Sequence, residues 1–391
     1  MDEADLREVL DTVREFVRGE VVSAEDEIEA KDEIPAGIRR KAAAMGLYGF
    51  TIPVEYGGGG LTVSEEVLLV MELGYTTPAF RSLFGTNNGI AGHVLLEGAT
   101  PQQRKDYLPK LASGEWTASF ALTEPDAGSD PSTLTTSARL NGEDWVLDGA
   151  KRFITNAPYA DVFMVFARTD PQASPSRGIS AFLVPRDTPG LTVGRQDHKM
   201  GQAGAVTADV HLDAVRVPAA QLIGDEPGVG YATAMRCLAH GRIHIAALCV
   251  GLMQRLVDES ARFAATRRQS GQVIGEFQLV QGLLADSQTD LMAARGLVLE
   301  SARAYDSGAD RRTGPSCAKY FASEAVSRVA DRAVQIHGGS GYLRGVAVER
   351  LYRDARLFRL YEGPSQIQQL IIGRQVLRAA RAELAASGGH A

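Results

Sequence analysis

The sequence lacks the residues and patterns that mark several classes of protein. Its three cysteines, an odd number among 391 residues, lie far apart and form no C-x-x-C pair, which excludes a disulfide framework. The net charge is −7, from 41 basic and 48 acidic residues, so a basic surface for nucleic acid is missing. No apolar run approaches the roughly 20 residues that span a bilayer, and no zinc-ligand spacing occurs. We therefore expect a cytoplasmic protein with reduced thiols, no metal site, no membrane insertion and no nucleic-acid partner.

The hydrophobic pattern changes twice along the chain. Residues 1–114 place apolar side chains at helical spacing, and residues 115–226 contain short β-rich runs separated by turns such as Asn141-Gly142. Long helices rich in Ala, Leu and Arg follow over residues 227–391. This order predicts an α+β protein with an N-terminal helical domain, a middle antiparallel β-domain and a C-terminal helical domain. No low-complexity linker separates them, so we expect packed boundaries, where ligands often bind.

Two motifs in the middle domain have the groups that a polar, ring-containing ligand needs. The segment T-E-P-D-A-G-S-D, from Thr123 to Asp130, follows a probable strand and offers hydroxyls and backbone N–H groups. Phe153 and Thr155 stand two residues apart on a second strand, which places them on the same face. An ordinary turn and an ordinary strand are the alternative interpretations of these two segments.

Three motifs in the C-terminal part carry charged or glycine-rich groups. Arg267 begins R-R-Q-S-G, whose arginines suit a pyrophosphate, and Gln278 follows eleven residues later. The glycines of Q-I-H-G-G, from Gln335 to Gly339, let a backbone approach a ligand or simply end a helix. Y-E-G-P-S, from Tyr361 to Ser365, places a carboxylate in a turn between helices. A solvated loop glutamate is the alternative for this last motif.

Together and in order, these motifs resemble those of the acyl-CoA dehydrogenase family. The resemblance rests on T-E-P-x-A-G-S-D, I-T-N, the arginine and glutamine eleven residues apart, Q-I-x-G-G, and Y-E-G followed by Q-I, and it extends to Gln375. It implies the acyl-CoA dehydrogenase fold with a C-terminal four-helix bundle, and dehydrogenation of an acyl-CoA thioester to a trans-2-enoyl-CoA. It also implies an FAD cofactor, electron transfer flavoprotein as the electron acceptor, and a homotetramer.

The resemblance assigns cofactor contacts to individual positions. Phe153 stands where many members have a tryptophan against the flavin ring, Ser270 replaces a usual phenylalanine, and Pro364 replaces a usual threonine. Several of the matched positions reach the FAD of a neighbouring subunit in the family, so the site would require at least a dimer. The positions that match FAD contacts are Thr123, Ser129, Phe153, Thr155, Arg267, Ser270, Gln278, Gln335, Gly338, Gly339, Pro364 and Gln366.

Glu362 matches the catalytic base of the family, which removes the α-proton while the β-hydrogen leaves as hydride to flavin N5. The family's backbone N–H at this position helps to stabilise the developing enolate. Some relatives place the base on an earlier helix, but His240, Gly241 and Arg242 supply no carboxylate there. Arg242 matches an active-site arginine. Ser129, Tyr361 and Gly363 complete the predicted acyl-CoA contacts.

Arg81 and Ser82 raise the question of which acyl group is bound. Glutaryl-CoA dehydrogenases carry an Arg-Ser pair at the corresponding place, which binds the distal carboxylate of the substrate, and a bidentate arginine suits that task. An arginine that turns away or pairs with a protein carboxylate is the alternative. Two other functions remain open at this point: an oxidase or monooxygenase on the same scaffold, and an inactive scaffold subunit of a heteromeric dehydrogenase.

Overall fold

A computed structural model describes residues 1–387, and its element order is helices, strands, helices, as predicted. Short 3-10 turns join several of the elements. The helices are α1 (Glu3–Phe16), α2 (Glu25–Lys31), α3 (Ala36–Ala44), α4 (Val63–Leu73), α5 (Pro78–Asn88), α6 (Ile90–Gly98), α7 (Pro101–Ser113), α8 (Gly230–Thr266), α9 (Gln278–Asp306), α10 (Thr313–His337), α11 (Ala347–Ala355) and α12 (Ser365–Ser387). The strands are β1 (Ala118–Ala121), β2 (Ser137–Asn141), β3 (Asp144–Thr155), β4 (Val162–Arg168), β5 (Ile179–Pro185), β6 (Leu191–Gln196), β7 (Thr207–Pro218), β8 (Arg268–Gln269) and β9 (Gln272–Val273). The predicted α+β fold class is confirmed.

Helix α7 shows how local sequence fixes an element boundary. Thr100 caps it by accepting the Gln103 N–H on Oγ1 at 3.2 Å, and the Thr100 N–H donates to Gln103 Oε1 at 3.0 Å. This reciprocal pair is a capping box, and Pro101 occupies the first helical position, where no N–H is needed. Gly114 ends the helix with a φ of 75°, a conformation that glycine adopts without steric cost.

Strands β1 to β7 form one sheet in the spatial order β1-β4-β2-β3-β7-β6, with β5 paired to β4. Most neighbours are antiparallel, as predicted, but β1 and β2 both run parallel to β4. The prediction of an antiparallel domain is therefore wrong for the pairings of β4 with β1 and β2. The reason is a crossover, because the chain leaves β1, forms the β2–β3 hairpin, and returns to β4 in the original direction.

Strand β4 is buried on both faces, which explains its continuous apolar run. Val162, Met164 and Phe166 pack in a cluster that includes residues of α7. Phe163 and Val165 pack in a second cluster with side chains of β3 and β7. Because successive strand residues point to opposite faces, a strand with an apolar cluster on each side needs apolar residues at every position.

Contacts within the chain define two compact units. The first contains Met1–Thr62 and Thr76–Gly241, and the second contains Val63–Tyr75 and the chain from Arg242 onward. Helix α4 thus belongs to the second unit although it lies early in the sequence. The division at residues 1–114, 115–226 and 227–391 stays a prediction.

The second unit is built from long helices, with α10 packed against both α9 and α12, and α4 packed against α9. A Cβ on Gly251 of α8 would lie 2.1 Å from the Met71 carbonyl oxygen of α4. A Cβ on Gly74 would likewise lie 2.5 Å from the Leu248 carbonyl oxygen. Glycine at these two positions allows α8 and the end of α4 to approach closely.

Helix α8 is the one helix within residues 1–387 that is long and apolar enough to cross a membrane. Its most apolar 18-residue window has a mean hydropathy of 1.2, and 89% of that window is buried inside the protein. Its apolar character is therefore explained by packing in the protein core.

Candidate active site

Glu362 lies in the short turn between the 3-10 segment Arg356–Arg359 and α12. Its backbone is left-handed, with a φ of 55°, and Gly363 follows with a φ of 84°. Gln368, in the first turns of α12, donates from Nε2 to the carbonyl oxygens of Glu362 at 3.2 Å and Gly363 at 2.9 Å. The glutamate side chain is only partly exposed, so the alternative of a fully solvated loop residue does not hold.

Two buried cations, Arg242 and Lys319, interact electrostatically with Glu362. Burial lowers the pKa of the Arg242 guanidinium, and the charge of Glu362 opposes that shift. Burial also lowers the pKa of Lys319 to about 8, opposed by Cys249 and Glu362. Lys319 Nζ donates to the Gly363 carbonyl oxygen at 2.8 Å, and Arg242 Nη1 donates to Ser316 Oγ at 3.4 Å. The turn therefore presents one carboxylate to two largely desolvated positive charges.

In the first unit, the T-E-P loop is held by a buried ion pair between Lys151 and Glu124. Lys151 Nζ lies 2.7 Å from Glu124 Oε1, with side chains 0% and 4% exposed. Glu124 also accepts the N–H groups of Thr135 at 2.6 Å and Thr136 at 2.9 Å. The loop that carries Thr123 and the exposed Ser129 is thus fixed at its base.

Phe153 stands on an irregular part of β3. The pairing with β7 shifts between Lys151 and Ile154, so β3 has a bulge there, and Phe153 has a φ of 58°. Its ring is 60% exposed, with the Arg152 guanidinium 4.8 Å from the ring centroid. Thr155 is also partly exposed, whereas Ile154 between them is buried. Both Phe153 and Thr155 are thus accessible to a ligand, and their common orientation stays a prediction because the bulge interrupts regular alternation.

The predicted FAD positions of the second unit lie on exposed backbone and side chains. Arg267 directly precedes β8, Ser270 lies in the turn between β8 and β9, and Gln278 begins α9. Gln335, Gly338 and Gly339 lie at the end of α10. The two groups are close, because the rings of Phe263, one turn before Arg267, and His337, just before Gly338, stack at 4.2 Å. Gln366, in the first turn of α12, is exposed as well, and Pro364 and Tyr361 are partly buried.

Three family models match the chain in succession. They are the acyl-CoA dehydrogenase N-terminal domain over residues 3–115, the middle domain over residues 119–215 and the C-terminal domain over residues 228–377. The chain belongs to the acyl-CoA dehydrogenase family. Its members are oxidoreductases that act on a CH–CH group, and this identity agrees with the α+β architecture described above.

Individual acyl-CoA dehydrogenase relatives cover nearly the whole chain. The probable acyl-CoA dehydrogenase YngJ of Bacillus subtilis is 40% identical over 370 residues, which are 95% of this chain and 97% of that protein. The caffeyl-CoA reductase-Etf complex subunit CarC of Acetobacterium woodii is 38% identical over 353 residues, 90% of this chain and 93% of that protein. The structure of a glutaryl-CoA dehydrogenase from Mycobacterium smegmatis in complex with FADH2 matches with a TM-score of 0.89 and 29% identity, covering 96% of this chain and 95% of that one.

FAD is the cofactor of this acyl-CoA dehydrogenase, and the described residues fit it. A Cβ on Gly338 or Gly339 would meet no atom of the chain within 4 Å. Packing within the chain therefore requires glycine at neither position, although the φ of 57° at Gly338 favours one, and both glycines leave bare backbone open to a ligand. An exposed aromatic ring held at a strained bulge, as for Phe153, fits contact with a planar group in the same way.

Arg81 and Ser82 differ in what their side chains do. Arg81, on α5, lies over Gly85, where a Cβ would come within 2.8 Å of its Cδ and Nη1 atoms. Within residues 1–387, the buried Nε of Arg81 has no hydrogen-bond partner, and Arg81 forms no ion pair. The alternative in which Arg81 pairs with a protein carboxylate is therefore not seen. The Ser82 hydroxyl is buried and donates to the Pro78 carbonyl oxygen of the same helix at 3.1 Å.

Sequence reasoning missed Lys319 and Gln368, which contact the turn of Glu362. A usable signal for Lys319 is its place on the apolar stripe of α10, where Ala322, Val326 and Val329 recur at helical spacing and are buried. A lysine in such a stripe is seldom buried without a partner. Gln368 carries no comparable signal, because a glutamine near the start of a helix is ordinary.

Proposed function

We propose that this chain dehydrogenates an acyl-CoA thioester to the trans-2-enoyl-CoA, with Glu362 removing the α-proton. The observation that carries the proposal is the position of Glu362, a partly buried carboxylate in a strained turn beside the buried cations Arg242 and Lys319. Opposite charges favour the ionised carboxylate, the form that accepts a proton. Shielding from water acts in the opposite direction, because a desolvated carboxylate is a stronger base than a solvated one.

The chain's own groups have distinct roles in this proposal. Glu362 Oε atoms take the α-proton, and the Glu362 backbone N–H donates to the thioester oxygen, where negative charge develops. Thr123, Ser129, Phe153 and Thr155 of the first unit would hold FAD. FAD, when bound, supplies the acceptor for the β-hydrogen and its electron pair. No carboxylate at Gly241 or Arg242 competes with Glu362 for the role of base.

We further propose electron transfer flavoprotein as the electron acceptor, a homo-oligomer as the assembly, and the cytoplasm as the location. The first is supported by the relationship to a subunit of an Etf complex. The second is supported by large exposed apolar side chains beside the predicted FAD positions, Leu279 next to Gln278 and Leu343 close to Gly339. The third is supported by the three cysteines, an odd number that lie far apart and form no C-x-x-C pair.

Replacement of the base tests the reaction. Glu362→Gln keeps the shape of the side chain but cannot accept the proton, so we expect FAD content like the parent's and at least a ~100-fold slower reduction of the bound flavin by butyryl-CoA. Glu300→Gln, an exposed glutamate on α9, is the matched control and should behave like the parent. An unchanged rate in Glu362→Gln would refute the assignment of the base. A purified protein that is colourless and cannot be reconstituted with FAD would support the inactive scaffold subunit instead.

A dicarboxylyl-CoA substrate is a second candidate, favoured by the state of Arg81. A partly buried guanidinium without a protein carboxylate is suited to bind the distal carboxylate of a substrate such as glutaryl-CoA. Arg81→Met should then reduce turnover of glutaryl-CoA by at least about tenfold more than turnover of butyryl-CoA. Equal losses for the two substrates would dismiss this candidate and leave the dehydrogenation of simple acyl-CoA thioesters in place.

A further inference from the structure

The turn that carries Glu362 has a conformation that its own sequence does not favour. Glu362 and Gly363 both have positive φ values, 55° and 84°. Gly363 adopts this region freely, but a residue with a Cβ loses about 1–2 kcal/mol there. A strained glutamate persists only where surrounding contacts determine its conformation. The contacts that do so are therefore part of what places the carboxylate.

Two side chains from different helices converge on this turn. Lys319 of α10 donates from Nζ to the Gly363 carbonyl oxygen at 2.8 Å. Gln368 of α12 donates from Nε2 to the same oxygen at 2.9 Å and to the Glu362 carbonyl oxygen at 3.2 Å. Both side chains are fully buried. A Cβ on Gly363 would lie 2.5 Å from Gln368 Nε2, so glycine is needed there for this contact.

The acceptors of these donors are carbonyl oxygens, and neither Lys319 nor Gln368 donates to the Glu362 carboxylate within the described residues. Both donors therefore act on the main chain of the turn and not on the carboxylate. Lys319 differs from Gln368 in adding a positive charge that acts on Glu362 through space. One side chain thus contributes geometry alone, and the other contributes geometry and charge.

The charged and titratable groups around this turn come from two helices, α8 and α10, and from the turn itself. Arg242 of α8 and Lys319 of α10 act on Glu362. Lys319 itself faces Cys249 and Arg242 of α8, Glu362, and Glu324 of its own helix. Its pKa is lowered to about 8 by burial, so the ammonium is present at neutral pH.

We infer that Lys319 and Gln368 are positioning residues for the base, holding the Glu362–Gly363 peptide so that the carboxylate and backbone N–H of Glu362 keep their catalytic orientation. The inference deepens the proposed function and rests on it. Gln368 supplies orientation, whereas Lys319 supplies orientation and also favours the ionised form of Glu362. Removal of either side chain should slow proton abstraction, but only removal of Lys319 should change its pH dependence.

Methionine variants of the FAD-loaded protein test the two roles, because methionine is close in size to both residues but has no N–H donor. At pH 7 we expect Lys319→Met and Gln368→Met to reduce their flavin with butyryl-CoA about 10- to 100-fold more slowly than the parent, with FAD content retained. The acid limb of the kcat/KM profile, which reports the base of the free enzyme, should move to higher pH in Lys319→Met only. Amide hydrogen exchange of the peptide containing residues 358–368 should accelerate in both variants.

Ser323→Ala is the matched control, since Ser323 lies one turn after Lys319 on α10, is fully buried, and donates to the Tyr320 carbonyl oxygen of its own helix. It should keep the parent's rate, pH profile and exchange. A parent-like rate and acid limb in Lys319→Met, together with an inactive Glu362→Gln, would overturn the positioning role while leaving the base in place. An active Glu362→Gln would overturn the proposed function itself. If Lys319→Met fails to bind FAD, Gln368→Met alone decides, and a parent-like rate in that variant refutes the positioning role.

Discussion

The buried ion pair beneath the T-E-P loop gives the sharpest prediction for stability. Lys151→Met removes the ammonium but keeps an apolar side chain of similar length, so Glu124 is left as a buried carboxylate. The two charged atoms lie 2.7 Å apart, and both side chains are almost entirely inaccessible to water. Two backbone N–H groups from Thr135 and Thr136 still reach Glu124, but they do not neutralise its charge. The variant should therefore be clearly less stable than the parent.

The size of the effect follows from the geometry. At an effective dielectric constant of about 20, unit charges at this separation attract each other by roughly 6 kcal/mol, and desolvation offsets part of that. Breaking a buried pair by removing one partner costs about 3–5 kcal/mol, because the other charge remains buried. We expect a loss of that order for Lys151→Met. The double variant Lys151→Met with Glu124→Gln has no orphaned charge and should recover part of the loss.

Urea unfolding of the FAD-loaded parent, both single variants and the double variant at pH 7, followed by far-UV circular dichroism, measures these differences. The coupling free energy between positions 151 and 124 should exceed about 1 kcal/mol, since the two side chains are in direct contact. If Lys151→Met stays within about 0.5 kcal/mol of the parent, or if the two single losses simply add, the buried pair does not stabilise the loop.

Three further predictions concern acid stability, a helix cap and the strained aromatic residue. Burial opposes ionisation of Glu124, but Lys151 and the hydrogen bonds outweigh burial and lower the pKa of Glu124 to about 2. The stability that the ionised Glu124 contributes is therefore present above pH 4.5 and is lost as the pH falls toward 2. Lys151→Met should unfold at a higher pH than the parent in an acid titration followed by circular dichroism, and coincident curves would contradict this. Thr100→Ala removes the cap of α7 and should lower the free energy of urea unfolding by about 1 kcal/mol, whereas Thr100→Ser should retain it; a neutral alanine would exclude a stabilising role for the cap. Phe153→Gly relieves a left-handed backbone and removes a ring that is 60% exposed, so the thermal stability of the flavin-free protein should not fall while affinity for FAD does; parent-like affinity in a flavin titration would argue against the contact with FAD.

Much of the fold follows from patterns that act over short stretches of sequence. The long C-terminal helices are visible because apolar residues recur every three or four positions. The parallel pairing of β1 with β4 could not be predicted, since pairing partners depend on which strands the core brings together. The bulge at Phe153 was missed for a similar reason, because a strand pattern shows alternation but not the register of its partner.

The residues of the candidate site differ in the same way: some are predicted by short motifs, and others depend on how distant elements pack. Glu362 and the FAD positions were predicted by motif, since each sits in a short run with its neighbours. Lys319 lies 43 positions before Glu362 and touches its turn only because α10 and α12 pack together. Likewise, the lack of a protein partner for the Nε of Arg81 within residues 1–387 depends on which side chains surround α5, and a single sequence does not show those neighbours.

The left-handed backbone of Glu362 affects which residues can replace it during evolution. At that φ, glycine or asparagine would be more stable than glutamate by about 1 kcal/mol, so the fold alone gives no reason to keep a carboxylate there. Under the proposed function, a duplicated copy that no longer catalyses the reaction would gain stability by replacing this glutamate, without a change at Gly363 or in α12. Under the proposed function, a carboxylate at position 362 therefore distinguishes copies of this chain that catalyse the reaction from copies that do not.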